Sequence, residues 1–187
     1  MKSSVLNNGL ISLFCCWLAK FLLFVSGWKA DGKIPDIKKF VIIAAPHSTN
    51  WDFVFFLLVI FKLRLPVHWM GKKTMFKWPF AWLLKRLGGI PIDRSQKGNL
   101  VQAMVDAFNE SAQLMVTIAP EGTRSRVKYW KTGFYHIAAQ AGVPIALGYI
   151  DYQKKIVGIG PMFAPTGDID TDMAEIQAYY SDFSGRY

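Results

Sequence analysis

The sequence predicts an α/β domain with a mixed, largely parallel sheet flanked by helices, preceded by an apolar, membrane-associated helix at the N-terminus. Short apolar runs rich in β-branched residues alternate with segments of helical periodicity, which is typical of such a sheet. Glycines and prolines separate these segments. Of the 187 residues, 52% are hydrophobic and 19% are charged, which excludes a disordered chain.

The first element is the apolar segment Leu10–Trp28, which has nearly the length that spans a bilayer but carries Lys20 near its middle. Four interpretations are open: a spanning helix, a helix in one leaflet, a signal peptide, or a buried core helix. A charge at mid-membrane is costly and the cleavage site at Val25-Ser26-Gly27 is poor, so we expect a helix in one leaflet. Because more lysines follow the segment than precede it, we expect the remaining chain on the cytoplasmic side.

The remaining elements follow a polar segment at Asp31–Lys39. This segment predicts a boundary near residue 30, between a membrane-associated segment (1–30) and a domain (31–187). The predicted strands are Phe40–Ala45, Pro66–Met70, Ile90–Asp93, Leu114–Ala119, Pro144–Ile150 and Lys155–Ile159. The predicted helices are Asn50–Phe61, Trp78–Leu87, Leu100–Ala112, Phe134–Ala141 and Asp170–Phe183.

A histidine and an aspartate flank the turn after the first of the core strands. His47 follows the strand, and Asp52 lies five residues later, in the first turn of the predicted helix. A histidine held by a carboxylate in this way is a strong general base. In the alternative interpretation Asp52 only caps the helix, since Thr49 and Asp52 match a capping pattern.

Two further blocks end predicted strands, where ligands bind in open α/β sheets. Residues 88–94 finish on Arg94, and the alternative is a surface arginine paired with Asp93. Residues 119–125 follow a buried strand with the sequence Ala-Pro-Glu-Gly-Thr-Arg-Ser.

The second of these blocks has the composition of a phosphate site. Gly122 allows the backbone to approach a ligand, Thr123 adds a hydroxyl donor, and the Arg124 guanidinium matches phosphate geometry. The alternative is an ordinary polar loop in which Glu121 pairs with Arg124.

Taken together, these residues resemble the glycerolipid acyltransferases typified by lysophosphatidic acid acyltransferase. That family carries four ordered blocks, and each has a counterpart in this sequence. The matching residues are His47 with Asp52 for H-x4-D, residues 88–94 for G-x-I-x-I-D-R, residues 120–125 for P-E-G-T-R-S, and residues 143–145 for V-P-I. One departure is Pro46, where the family usually has asparagine before the histidine.

The resemblance implies a reaction and roles for the site residues. His47 takes the proton of an acceptor hydroxyl, which attacks the thioester of acyl-CoA or acyl-carrier protein, while Asp52 orients His47. Arg124 and Arg94 bind the phosphate of a lysophospholipid or glycerol-phosphate acceptor, and Glu121, Gly122 and Thr123 shape its site. Neither a metal ion nor a redox cofactor is implied.

Net charge and aromatic content predict the partner surface. The chain carries a net charge of +9, and residues 62–97 hold nine lysines and arginines, interleaved with aromatics, against a single acid, Asp93. Such a mixture favours anionic lipid head groups. One alternative function is a non-enzymatic module that binds nucleic acid by stacking, and another is an inactive membrane scaffold. The N-terminal apolar segment and the intact blocks favour the enzyme, with no nucleic-acid partner.

Overall fold

A seven-stranded sheet forms the centre of the molecule. The computed structural model describes residues 9–32, 36–92 and 97–186, with only the backbone at residues 97–99. The order across the sheet is β1-β7-β6-β2-β5-β3-β4. The strands are β1 (Lys29–Asp31), β2 (Lys39–Ala45), β3 (Val67–Lys72), β4 (Gly89–Ile92), β5 (Leu114–Ile118), β6 (Ile145–Asp151) and β7 (Ile156–Phe163). All neighbouring strands pair in parallel except β6 and β7, which confirms the predicted sheet.

Helices cover both faces of this sheet. They are α1 (Gly9–Ser26), α2 (Trp51–Leu63), α3 (Ala81–Arg86), α4 (Lys97–Glu110), α5 (Gly133–Ala141) and α6 (Ile169–Tyr180), with a short 3-10 helix at Lys73–Met75. Helix α5 ends where Gly142 adopts a left-handed conformation, as the glycine in the sequence predicts.

Alternate residues of the central strands face different helical layers. Val41 and Ile43 of β2 belong to the largest apolar cluster, which also contains residues of α4, α5 and α6. Phe40 and Ile42 face the opposite side and pack with Ile60 of α2. This period of two follows from the pleat of the strand, and the apolar run of β2 is continuous because both faces are covered.

Helix α1 packs along α2 through a minority of its residues. Cys16, Ala19 and Leu23 are buried, as is Ser12, whose Oγ lies 3.0 Å from Nε of Arg64. The opposite side exposes large apolar side chains: Leu10, Ile11, Leu13, Phe14, Trp17, Leu18, Phe21, Leu22, Phe24 and Val25. In the described part of the chain, α1 alone is long and apolar enough to cross a membrane.

Several predicted elements differ in extent from the observed ones. The sequence prediction missed β1, because it read Asp31 as part of a polar linker, and three residues show no periodicity. The helix predicted at Trp78–Leu87 is reduced to α3, and β7 continues to Phe163, beyond its predicted end.

The carboxyl ends of β2, β5, β3, β4 and β6 lie at one edge of the sheet, because these strands are parallel. The loops after β2 and β5 therefore meet at this edge. They carry most of the residues that the sequence analysis selects.

Candidate active site

A histidine–aspartate pair lies where the middle strand of the sheet ends. His47 follows β2, and Asp52 occupies the first turn of α2. His47 Nδ1 lies 3.1 Å from Asp52 Oδ2, and Asp52 is buried, with 8% of its surface exposed. The structure therefore brings the two residues into contact through Nδ1 of His47, the arrangement by which a carboxylate orients an imidazole.

Asp52 also organises the turn that carries His47. Its Oδ2 accepts hydrogen bonds from the backbone N–H groups of Ser48 (2.5 Å) and Thr49 (2.8 Å), and its Oδ1 lies 3.1 Å from Thr49 Oγ1. Thr49 Oγ1 accepts in turn from the N–H of Trp51 at 3.0 Å. The Asp52 carboxylate thus contacts both His47 and the turn that precedes α2, which is more than the capping interpretation alone requires.

Hydrogen bonds keep Asp52 ionised. Burial raises the pKa of Asp52, but the hydrogen bonds from His47, Thr49, Tyr152 and Ser48 outweigh burial and hold the pKa below its ordinary value. At neutral pH Asp52 is therefore a carboxylate that can stabilise a protonated His47.

Tyr152 is a site residue that the sequence analysis missed. It follows β6 and donates from its hydroxyl to Asp52 Oδ1 at 2.5 Å. No motif marks this tyrosine, and only the pairing of β6 with β2 brings it to a residue 100 positions away. The sequence offers one indication of this role: Tyr152 follows a predicted strand, and ligands bind at the carboxyl ends of strands in such sheets.

Glu121, in the loop after β5, contacts the loop that carries His47. The Glu121 carboxylate is buried, and its Oε2 accepts the backbone N–H of His47 at 3.0 Å. It lies on a polar cavity of about 580 Å³ that Arg126, Lys128 and the C-terminal segment also line. This contact fixes the β2–α2 loop to the β5 loop.

Arg124 reaches across the entrance of a second, apolar cavity. Its Nη1 donates to Oδ1 of Asn50, the residue that precedes α2. Gly122, beside it, has a φ of +66°, and a Cβ there would collide with the Lys131 side chain. Thr123 also lines the cavity beside Arg124. Arg94 lies outside the described residues.

The apolar cavity opens beside His47 and has a volume of about 650 Å³. It lies between α2 and the sheet. Its lining residues include Ile42, Ala44, Phe53, Phe56, Val59, Trp69, Gly71, Gly148 and Ile150. Such a predominantly apolar wall suits a hydrocarbon chain, and His47, Asn50 and Arg124 are among the polar residues that also line the cavity.

Comparison with known proteins identifies the class of protein that this sheet and this histidine–aspartate pair define. The acyltransferase family model matches residues 30–147, so the chain belongs to the acyltransferase family.

More particular similarities follow. The chain is 30% identical to the 1-acyl-sn-glycerol-3-phosphate acyltransferase of Haemophilus influenzae over 149 residues, which are 74% of this chain and 60% of that protein. It is 34% identical to the enzyme of the same name from Salmonella typhimurium over 111 residues, 56% of this chain and 44% of that one. The chain thus spans about half of the length of these relatives.

A solved structure shows the same fold. The crystal structure of the 1-acyl-sn-glycerophosphate (LPA) acyltransferase PlsC from Thermotoga maritima superposes with a TM-score of 0.62. The match covers 94% of this chain and 82% of that one, with 16% sequence identity. These comparisons confirm the resemblance drawn from the four sequence blocks and the predicted fold class.

Proposed function

We propose that this protein is a membrane-associated O-acyltransferase that moves a fatty acyl group from a thioester to the hydroxyl of a glycerol-phosphate or lysophospholipid acceptor. The observation that carries the proposal is the His47–Asp52 pair, 3.1 Å apart, at the mouth of a 650 Å³ apolar cavity. The names of the relatives support the same reaction class.

The reaction begins at the free nitrogen of His47. Its Nδ1 faces Asp52, so Nε2 takes the proton of the acceptor hydroxyl as the oxygen attacks the thioester carbonyl. A new C–O bond forms, the tetrahedral intermediate collapses, and the C–S bond breaks. The thiolate that leaves takes the proton from His47, so the base is restored without an acyl-enzyme.

The apolar and the polar residues of the cavity suit the two parts of the substrates. The apolar wall accommodates the acyl chain, which leaves water as it enters. Arg124, on the rim, presents a fork of N–H donors that matches a phosphate, and the Lys131 side chain lies beside Gly122. We assign acceptor binding to this rim, with Thr123 beside Arg124, and to Arg94 on the basis of sequence alone.

Two exposed surfaces support membrane association. One is the apolar side of α1. The other is the segment 72–86, in which Trp78 is 92% exposed and Phe80 and Trp82 are also exposed. That segment carries five lysines and arginines and no acid, so it suits the anionic head groups of a lipid surface. We place the domain on the cytoplasmic side, in keeping with the lysines that follow α1.

The test is acyl transfer by the purified protein. Wild type is supplied with lysophosphatidate, other lysophospholipids or glycerol 3-phosphate, each with acyl-CoA and with acyl-carrier protein. We expect His47→Ala to lower turnover by about 10²–10⁴, the contribution of a general base, while its melting temperature stays near that of wild type. His136→Ala is the matched control, because His136 is an exposed histidine on α5.

Near-normal turnover by a folded His47→Ala variant would contradict the base assignment. If wild type transfers no acyl group to any acceptor, the proposed function fails. The nucleic-acid alternative would then be tested by binding to single-stranded oligonucleotides at several salt concentrations.

A further inference from the structure

We propose that Tyr152 is a positioning residue that holds the Asp52 carboxylate in the orientation that His47 needs; this inference rests on the proposed function. Asp52 Oδ2 faces His47 Nδ1 only while the carboxylate keeps its present rotation. Tyr152 supplies a hydrogen bond to the other oxygen, Oδ1, from outside the β2–α2 segment.

The donors to Asp52 fall into two groups. Those from Ser48 and Thr49 belong to the same short turn as Asp52 and move with it. Tyr152, in contrast, is attached to the end of β6, so its hydroxyl ties the carboxylate to the sheet. It also lies 3.1 Å from Thr49 Oγ1. Among the described residues, Tyr152 is the one whose hydrogen bond connects Asp52 to a strand other than β2.

The tyrosine ring is itself held in place. It packs edge-on against Trp28 with ring centroids 5.1 Å apart, and at 6.2 Å against Phe55 of α2. The Tyr152 backbone N–H donates to the carbonyl oxygen of Ser184 at 2.9 Å. A phenylalanine would keep these packing contacts and lose only the hydroxyl, which makes the substitution specific.

Tyr152 remains a donor at every pH at which the protein would work. Burial and the hydrogen bond to Asp52 raise the pKa of Tyr152 to about 12. The other charged and titratable groups around the pair are His47, Glu121, Arg124 and Arg186.

The sign of the effect on His47 follows from charge. A donated hydrogen bond draws negative charge from the carboxylate, so its loss leaves more charge to stabilise a protonated His47. The pH profile of turnover should therefore differ between Tyr152→Phe and wild type.

The experiment compares Tyr152→Phe with Tyr135→Phe. Tyr135, on α5, also donates its hydroxyl to a buried aspartate, Asp172, at 2.7 Å, but in the core on the other side of the sheet. We expect Tyr152→Phe to lower kcat about tenfold. The acidic limb of its kcat/KM profile should move to higher pH by up to about one unit. Tyr135→Phe should leave both unchanged, although its melting temperature falls.

A second readout does not depend on turnover. The imidazole signals of the three histidines are recorded by NMR at one pH, with His47 assigned from the His47→Ala variant. A displaced His47 imidazole signal in Tyr152→Phe, with Tyr135→Phe like wild type, supports the inference even if no acyl transfer is found. In that case only the proposed function fails. An unchanged His47 imidazole signal and an unchanged kcat in a folded Tyr152→Phe would overturn the inference.

Discussion

The exposed side of α1 allows a sharp test of membrane binding. Deleting α1 would also remove Leu23, which packs into the protein, so the better perturbation replaces Phe14, Trp17 and Phe24 together by serine. These side chains are 62%, 65% and 84% exposed, and the buried residues of α1 stay intact. The fold should therefore survive, while the surface available to lipid becomes polar.

The size of the effect follows from the exposed area. Burying all three residues in lipid removes the surface of about two fully exposed side chains, at about 1.5–3 kcal/mol each. The triple variant should thus lose about 3–6 kcal/mol of binding free energy. Its partition onto vesicles should fall by about a hundredfold to ten-thousandfold.

The assay is sedimentation with vesicles that contain anionic and zwitterionic lipids. The matched control is Tyr129→Ser, which removes a 74% exposed aromatic ring from a loop and should bind vesicles as wild type does. If the folded triple variant binds as tightly as wild type, α1 is not the anchor. The anchor would then be the segment 72–86, and its binding should weaken as salt rises.

Two further substitutions test the site. Asp52→Asn should lower kcat by about 10⁴ through loss of tautomer control. Because the pKa of Asp52 is lowered in the folded protein, its stabilising contribution is present above an unfolded-state pKa of about 3.9 and is lost as pH falls through the folded-state pKa. The melting temperature of the variant should depend less steeply on pH in this acid range. Arg124→Ala should raise the acceptor KM and leave the donor KM nearly unchanged, with partial recovery in Arg124→Lys, as two-substrate kinetics would show. A raised donor KM alone would place Arg124 on coenzyme A.

Features that depend on neighbouring residues could be predicted from the sequence. The turn between β2 and α2 is an example, because a β-branched run, a group of capping residues and an apolar helical segment follow one another directly. The approach of His47 to Asp52 follows from that turn, so the pair could be anticipated from its spacing.

Features that depend on strand order could not be predicted in this way. Tyr152 reaches Asp52 because β6 pairs with β2, and the hydrogen bond from His47 to Glu121 forms because β5 pairs with β2 on its other side. Periodicity reports which face of an element is buried, but not which strand lies beside it. Strand β1 was missed for a related reason, since it is too short for a pattern and is defined by its pairing with β7.

The two faces of the sheet are packed to different degrees, and this difference affects where the folded protein opens locally. The face covered by α4, α5 and α6 has a continuous apolar core, whereas the face under α2 has the cavity at the carboxyl ends of the strands. Local opening takes the least free energy where the fewest apolar contacts are lost. We therefore expect local opening to be concentrated in the α1–α2 layer, and the strands that carry the His47 loop to stay paired.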